Sequence, residues 1–186
     1  MATKLVDNNL TKDEIIQRLK ICLTTSDDAY QMGEILKRAF NLKSKEEALY
    51  QMISVHTLFR RSIKVVDKYT NEIYGLLILS DFPLHYGTPL MDYSKKLGEL
   101  TMKFKQLNGF AFILDDRIKG CGIDKMVLSY FLNHTNFPKE YNLIWCGVEN
   151  NLKSHEYWKR LGFKYLFENG EAKFYVKLLN LENLKK

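Results

Sequence analysis

Disulfide chemistry has little to work with in this chain. Its 186 residues include three cysteines, Cys22, Cys121 and Cys146, odd in number and far apart. That pattern argues against a disulfide frame and for a reducing, cytoplasmic setting. Histidine is nearly as scarce: His56, His85, His134 and His155 show no metal-ligand spacing, so no metal site is expected. No run approaches the ~18 apolar residues of a membrane helix, and the richest, Ile73 to Leu79, is far too short. The opening Met-Ala-Thr-Lys lacks the apolar stretch of a secretion signal. No internal repeat or low-complexity tract occurs.

What is present is ordinary globular material. With 46% hydrophobic and 27% charged residues, the chain is expected to form one domain over residues 1–186 with a substantial core. A formal net charge of +6 suits an anionic ligand. Nucleic acid is the other reading of that charge, but the basic residues are interspersed with acids. That favours a solvated surface over a binding stripe, and nucleic acid is not expected as a partner.

The most informative stretch runs from Phe110 to Leu128. Phe110 to Leu114 is an apolar run between Asn108-Gly109 and the pair Asp115-Asp116, which reads as a short buried strand. A basic turn with Gly120 and Gly122 follows, then a helical pattern at Ile123, Val127, Leu128 and Phe131. Strand, glycine turn and helix together offer backbone N–H groups and a helix N-terminus to an anion. The turn does not end in Gly-Lys-Ser or Gly-Lys-Thr, so it is not a nucleotide P-loop. Lys125 stands where a Rossmann fingerprint needs its third glycine.

The stretch resembles motif A of the GNAT superfamily of N-acetyltransferases, whose basic glycine loop cradles the pyrophosphate of acetyl-CoA. Two registers are possible. Arg117-Ile118-Lys119-Gly120-Cys121-Gly122 matches an Arg/Gln-x-x-Gly-x-Gly pattern. Lys119-Gly120-Cys121-Gly122-Ile123-Asp124 matches Arg-Gly-x-Gly-Ile-Gly, aligns the helix better, and replaces the last glycine with Asp124. Downstream, Asn151, Ser154, Tyr157, Leu161, Gly162 and Phe163 fall in step with the family's motif B. Gly162 also has its own physical sense as a helix stop.

Taken in order, Thr11 with Glu14 forms a capping box for a helix to about Leu19, and Lys20 to Thr24 is a strand. Ser26-Asp27-Asp28 caps a helix whose inner face is Ala29, Met32, Leu36 and Phe40. Ser44 with Glu47 opens another, with Leu49, Met52, Ile53 and Phe59 inward. Ile63 to Val66 and Ile73 to Leu79 are strands, the second buried on both faces. About 81–107, holding Pro83 and Pro89, is an insertion read as a substrate-side lid. After the glycine turn a helix runs to about Asn133, where Phe137-Pro138 breaks the pattern. Leu143 to Val148 is a strand, the Trp158 helix follows, and Lys164 to Phe167 pairs with Lys173 to Leu178 across Asn169-Gly170. The element order is that of the GNAT fold: α/β (α+β), a single mixed, mostly antiparallel sheet with helices on both faces.

The resemblance implies an acetyl-CoA-dependent transferase acting on an amine-bearing acceptor, as a monomer or homodimer. Cofactor contacts would come from the backbone of Phe112, Ile113 and Leu114, from Lys119, Gly120, Cys121, Gly122, Ile123 and Asp124, and from Asn151 and Ser154. The family's acidic tyrosine falls at Trp158, with Tyr157 one residue earlier. Indole N–H donates a hydrogen bond but cannot give up its proton near neutral pH. Glu149 is the foremost candidate base; Asp115, Asp116, Glu72 and Asp81 are further strand-end carboxylates. A non-catalytic CoA-binding module is the alternative, suggested by Asp124 and Trp158.

Overall fold

The computed structural model describes residues 11–44, 46–48, 62–80, 105–149, 154–168 and 172–179. The Thr11 capping box forms: the Glu14 amide donates to Thr11 Oγ1 at 3.3 Å and the Thr11 amide to Glu14 Oε2 at 2.7 Å. It starts α1 (Lys12–Arg18), which leads directly into β1 (Leu19–Leu23). The next helix is capped within its expected Ser26–Asp28 stretch, with Asp28 as the N-cap. Thr25, through Asp28, starts a short 3-10 turn at Ser26–Asp28, and α2 (Ala29–Ala39) follows it. Met32 and Leu36 of α2 are buried as expected, but Phe40 lies past the helix end and is 47% exposed. At the next cap, the Glu47 amide donates to Ser44 Oγ, while the Glu47 carboxylate accepts from the Lys43 amide instead of Ser44. Ala48 behind it is buried; Leu49, Met52, Ile53 and Phe59 lie outside the described residues.

The sheet continues with β2 (Ile63–Asp67), β3 (Ile73–Ser80) and β4 (Gln106–Leu114). After it come α3 (Ile123–His134), the one-turn helix α4 (Phe137–Glu140) where only a break was expected, β5 (Leu143–Glu149), α5 (His155–Arg160), β6 (Lys164–Glu168) and β7 (Ala172–Leu178). Strand order is β1-β2-β3-β4-β5-β7-β6, and every neighbouring pair is antiparallel except β4 with β5. β4 is longer than its apolar run suggests. Asn108-Gly109 lies inside the strand, opposite Ser80 and Leu79, and the strand already begins at Gln106, so the insertion expected to run to about 107 ends before it. Most of that segment, residues 81–104, and the Asn169-Gly170 turn lie outside the described residues.

β3 is buried along its whole length, because helices cover both sides of the sheet's centre. On one side Leu77, Leu79, Leu107, Ile144, Cys146, Val148 and Tyr175 pack with Val127 and Phe131 of α3 and with residues of α1 and α5. On the other, Leu76, Ile78 and Ala111 pack against Met32 and Leu36 of α2. Each fully buried aliphatic or aromatic side chain contributes about 1.5–3 kcal/mol relative to exposure.

Two bulges set which side chains reach which layer. Val65 pairs with Gly75 but Val66 with Ile73, leaving Tyr74 as an extra residue in β3. Ile78 pairs with Ala111 but Leu79 with Gly109, leaving Phe110 as an extra residue in β4. Because a strand alternates with period two, one extra residue reverses the facing of everything beyond it. Tyr74 therefore joins Leu77 and Leu79 on one face. Beyond Phe110, Phe112 and Leu114 face the α3–α5 layer and Ala111 and Ile113 the α2 layer, the opposite of what Leu107 alone would set.

Candidate active site

The parallel strands β4 and β5 pair through only three residue pairs, Gln106 with Leu143, Leu107 with Ile144 and Asn108 with Trp145. Both strands then continue, β4 along β3 to Leu114 and β5 along β7 to Glu149. A gap therefore opens between two strands of a buried sheet. The Asp115 amide donates to the Tyr74 carbonyl at 2.8 Å, so Asp115 faces β3. Successive residues of an antiparallel strand direct their N–H and C=O groups to opposite edges. Ile113 thus also faces β3, while Phe112 and Leu114 turn their N–H groups into the gap.

At the end of β4 the chain makes a 3-10 turn (Asp116–Ile118) capped by the Asp115 carboxylate, then passes Lys119 to Gly122 and enters α3. Gly120 and Gly122 have φ of 78° and 76°, the left-handed region that favours glycine, and none of the described residues stands within 4 Å of where a Cβ would project. Gly122 is the N-cap of α3, and no side chain among the described residues caps that helix. Its first N–H groups therefore remain available beside the open space over the glycines. Asp124 sits half-buried in the first helical turn. Lys119 is 60% exposed and pairs with Asp116 at 2.6 Å. Ile123 is buried and anchors the helix start; Cys121 is half-buried.

Arg117 does not accompany Lys119 toward solvent. Its guanidinium folds back on Asp115, with Nε to Oδ1 at 2.8 Å and Nη2 to Oδ2 at 2.9 Å. Nη1 donates to the Tyr74 hydroxyl at 3.2 Å, and Nη2 reaches Glu72 at 3.4 Å. Of the carboxylates considered as bases, Asp115 and Glu72 are thus bound to Arg117, and Asp116 to Lys119. Hydrogen bonding from Arg117, against the opposing effect of burial, lowers the Asp115 carboxyl below its ordinary value. All three are thus engaged in ion pairs. Glu149 is exposed at the end of β5; Asp81 and Asn151 lie outside the described residues.

α5 lies over the gap, starting at its half-buried N-cap Ser154, whose carbonyl accepts from the Trp158 amide. Both aromatic candidates reach Phe112: the Tyr157 ring stacks on it at 6.0 Å, and the Trp158 ring meets it edge-on at 6.4 Å. Two long rings at adjacent positions of a short helix thus converge on one strand residue. Their polar ends differ. The Tyr157 hydroxyl is buried with no hydrogen-bond partner among the described residues. Burial, and next the Asp124 carboxylate, push its phenol well above the ordinary value, with Arg160 opposing. Trp158 instead closes the helix end, as described below.

Sequence reasoning did not find the other side of α5. There the Tyr175 hydroxyl and His155 Nδ1 lie 3.1 Å apart, and His155 Nε2 is buried without a partner among the described residues. Tyr175 stands directly opposite Cys146 on the neighbouring strand. No sequence signal joins these residues, because β5 meets β7 only through the register of a long-range strand pair. Cys146 is 1% exposed, and burial raises its thiol well above the ordinary value, which suits a core residue and not a nucleophile.

No protein-family model matches the chain, and no curated protein matches it in sequence. Solved structures do match in shape, and their common class is plain: the chain has the fold of the GNAT acetyltransferases. A GNAT-family acetyltransferase from Listeria monocytogenes superposes with a TM-score of 0.58 at 12% identity, over 87% of this chain and 95% of that one. An acetyltransferase from Thermus thermophilus gives 0.57 at 16% identity, over 87% and 97%. The ribosomal-protein-S5-alanine acetyltransferase of Vibrio fischeri gives 0.52 at 18% identity, over 88% and 94%.

Proposed function

We propose that this chain is an acetyl-CoA-dependent N-acetyltransferase that transfers an acetyl group to a primary amine by direct attack on the thioester. The observation that carries the reading is the gap: two parallel strands part after Asn108 and Trp145, beside an uncapped helix N-terminus preceded by two left-handed glycines. That combination suits a ligand with an extended amide-bearing arm and an anionic end. The arm would pair with the Phe112 and Leu114 backbone, assisted by Ile113, Asn151 and Ser154. The pyrophosphate would lie over Gly120, Cys121 and Gly122 and the N–H groups of Ile123 and Asp124, with Lys119 adding charge. Arg117, turned away toward Tyr74, supports the Lys119 register.

Bound acetyl-CoA supplies an acyl group already activated as a thioester. What the chain adds is orientation, water exclusion by Phe112, Tyr157 and Trp158, and N–H groups aimed into the gap where negative charge develops. The Tyr157 hydroxyl is protonated at any physiological pH and is the favoured donor toward the departing sulfur. Among the described candidate bases, Glu149 is the one not held in an ion pair with Arg117 or Lys119, and it is assigned to the acceptor amine. The three cysteines, all free thiols, support a cytoplasmic setting.

Asp124 and Trp158 favour a second reading, a CoA-binding module with little turnover, because one opposes an anion and the other cannot release a proton. Thermal shift with acetyl-CoA tests binding. The wild type should melt higher with ligand, whereas Gly122→Asn, a residue tolerated at positive φ, should fold yet lose the shift. Thiol release across a panel of primary amines then separates enzyme from module. No release with any amine leaves only the module, and an unimpaired shift in Gly122→Asn overturns the site.

A further inference from the structure

The turn that precedes α3 is poorly held by its own backbone. Two of its hydrogen bonds, Lys119 amide to Asp116 carbonyl and Cys121 amide to Ile118 carbonyl, are both 3.4 Å long. Two left-handed glycines add conformational freedom. Burial of Ile118 fixes the middle of the turn, but nothing in that contact sets the direction of the chain on either side. Arg117, the residue before Ile118, is by contrast tied at four points. It binds both Asp115 oxygens, the Tyr74 hydroxyl and Glu72, and its guanidinium lies over the Tyr74 ring at 4.3 Å from the centroid.

These partners come from two neighbouring strands and their ends. Asp115 directly follows β4, Glu72 directly precedes β3, and Tyr74 lies in β3 as the extra residue of its bulge. The bulge is what brings the Tyr74 ring to the face on which the turn lies. A planar fork with five N–H donors matches this set, whereas a lysine ammonium could reach only part of it.

We infer that Arg117 is a positioning residue: by clasping Asp115 to Tyr74 and Glu72 it sets the glycine turn in the conformation that receives an anion, without touching the anion. This rests on the proposed CoA reading for its ligand, but not for the clasp itself. It also predicts the opposite of direct phosphate binding. Freeing Arg117 from Asp115 would strengthen binding if the guanidinium were a phosphate ligand, and weakens it if the guanidinium is a clasp.

The test has two arms. In the ligand-free protein, hydrogen exchange at the Lys119 and Cys121 amides should accelerate at least ~10-fold in Arg117→Met, with exchange in β3 and β4 unchanged. In calorimetric titration with CoA, Arg117→Met, Arg117→Lys and Asp115→Asn should each bind about 10-fold more weakly. The double variant Arg117→Met/Asp115→Asn should bind no more weakly than the worse single, since both break one unit. Tyr74→Phe, which keeps the fold and removes one contact, should lie between wild type and Arg117→Met in exchange. Unchanged exchange in Arg117→Met, or CoA affinity in Asp115→Asn equal to or above wild type, overturns the clasp. Absence of CoA binding by the wild type defeats the CoA reading alone, and the exchange arm then decides the clasp.

Discussion

The Phe163 amide donates to the Trp158 carbonyl at 3.1 Å, and the two rings meet edge to face with centroids 5.0 Å apart. With the Gly162 amide on the Lys159 carbonyl at 2.9 Å and Gly162 at φ 82°, this is a Schellman ending complete with its apolar contact. Trp158 is therefore accounted for by helix termination. The position where the family resemblance places an acid carries a packing residue, and the neighbouring Tyr157 carries a hydroxyl without a partner among the described residues.

Trp158→Phe should accordingly keep most of its turnover. An indole offers the departing thiolate at most a hydrogen bond, so a loss under ~10-fold in kcat is expected, short of the 10²–10⁴ of a lost general acid. The smaller ring loosens contact with Phe163 and Phe112, and stability should fall by about 1–2 kcal/mol. Steady-state kinetics and urea melts on the same preparations decide both halves.

Tyr157→Phe should move stability and rate in opposite directions. Deleting a buried hydroxyl that lacks a partner removes an unfavourable desolvation, so the ligand-free protein should gain about 1 kcal/mol. If that hydroxyl serves the leaving sulfur, kcat should drop at least ~10²-fold with CoA affinity intact. A variant that melts lower and turns over normally would remove Tyr157 from the chemistry.

Asp124→Gly should bind CoA more tightly while melting lower without it. A carboxylate in the first turn of α3 favours the empty helix by about 0.3–1 kcal/mol. It repels a second anion in the same place. Unchanged CoA affinity would mean that the carboxylate turns away from the anion, or that the Arg117 register is correct.

Acid stability should depend on Asp67, far from the gap. Its carboxylate is buried, which alone would raise its pKa. The Thr70 and Tyr69 amides at 2.9 and 2.7 Å and Arg18 at 2.9 Å outweigh this, and the net shift is downward. A carboxyl lowered in the folded state contributes stability that is present above its unfolded value of about 3.9 and lost as pH falls through the folded value. Asp67→Asn should therefore cost about 2 kcal/mol at pH 7. The difference from wild type should vanish in the most acid melts; a constant difference across pH would reject the assignment.

Local signals were legible because they act over a few residues. Thr11 and Glu14 announced a capping box, Gly162 a helix stop, and the run Ile73 to Leu79 a strand covered on both sides. Gly120 and Gly122, free of a Cβ, permit the left-handed backbone that both adopt. Where competing local choices were nearly equal, the reading slipped. The expected Ser26–Asp28 cap is itself a 3-10 turn started by Thr25, and Phe40 falls beyond the helix whose period includes it. Asn108-Gly109 looked like a boundary because such pairs favour turns, yet strand partners on both sides, Ser80 and Trp145, hold Asn108 in the sheet.

By itself, then, the sequence determined the order of elements, the glycine turn and the helix that follows it, since each depends on hydrophobic period and backbone freedom within one segment. Only the tertiary structure decided which side chains meet. An extra residue at Phe110 reverses the facing of β4, and that reversal turns Phe112 toward α5 so that Tyr157 and Trp158 can pack on it. The bulge at Tyr74 likewise brings its ring under Arg117, and a β5–β7 register sets Tyr175 opposite Cys146 and beneath His155. The physical reason is the two-residue period of a strand: a single bulge exchanges its faces, and the register that places a bulge depends on partners distant in the chain.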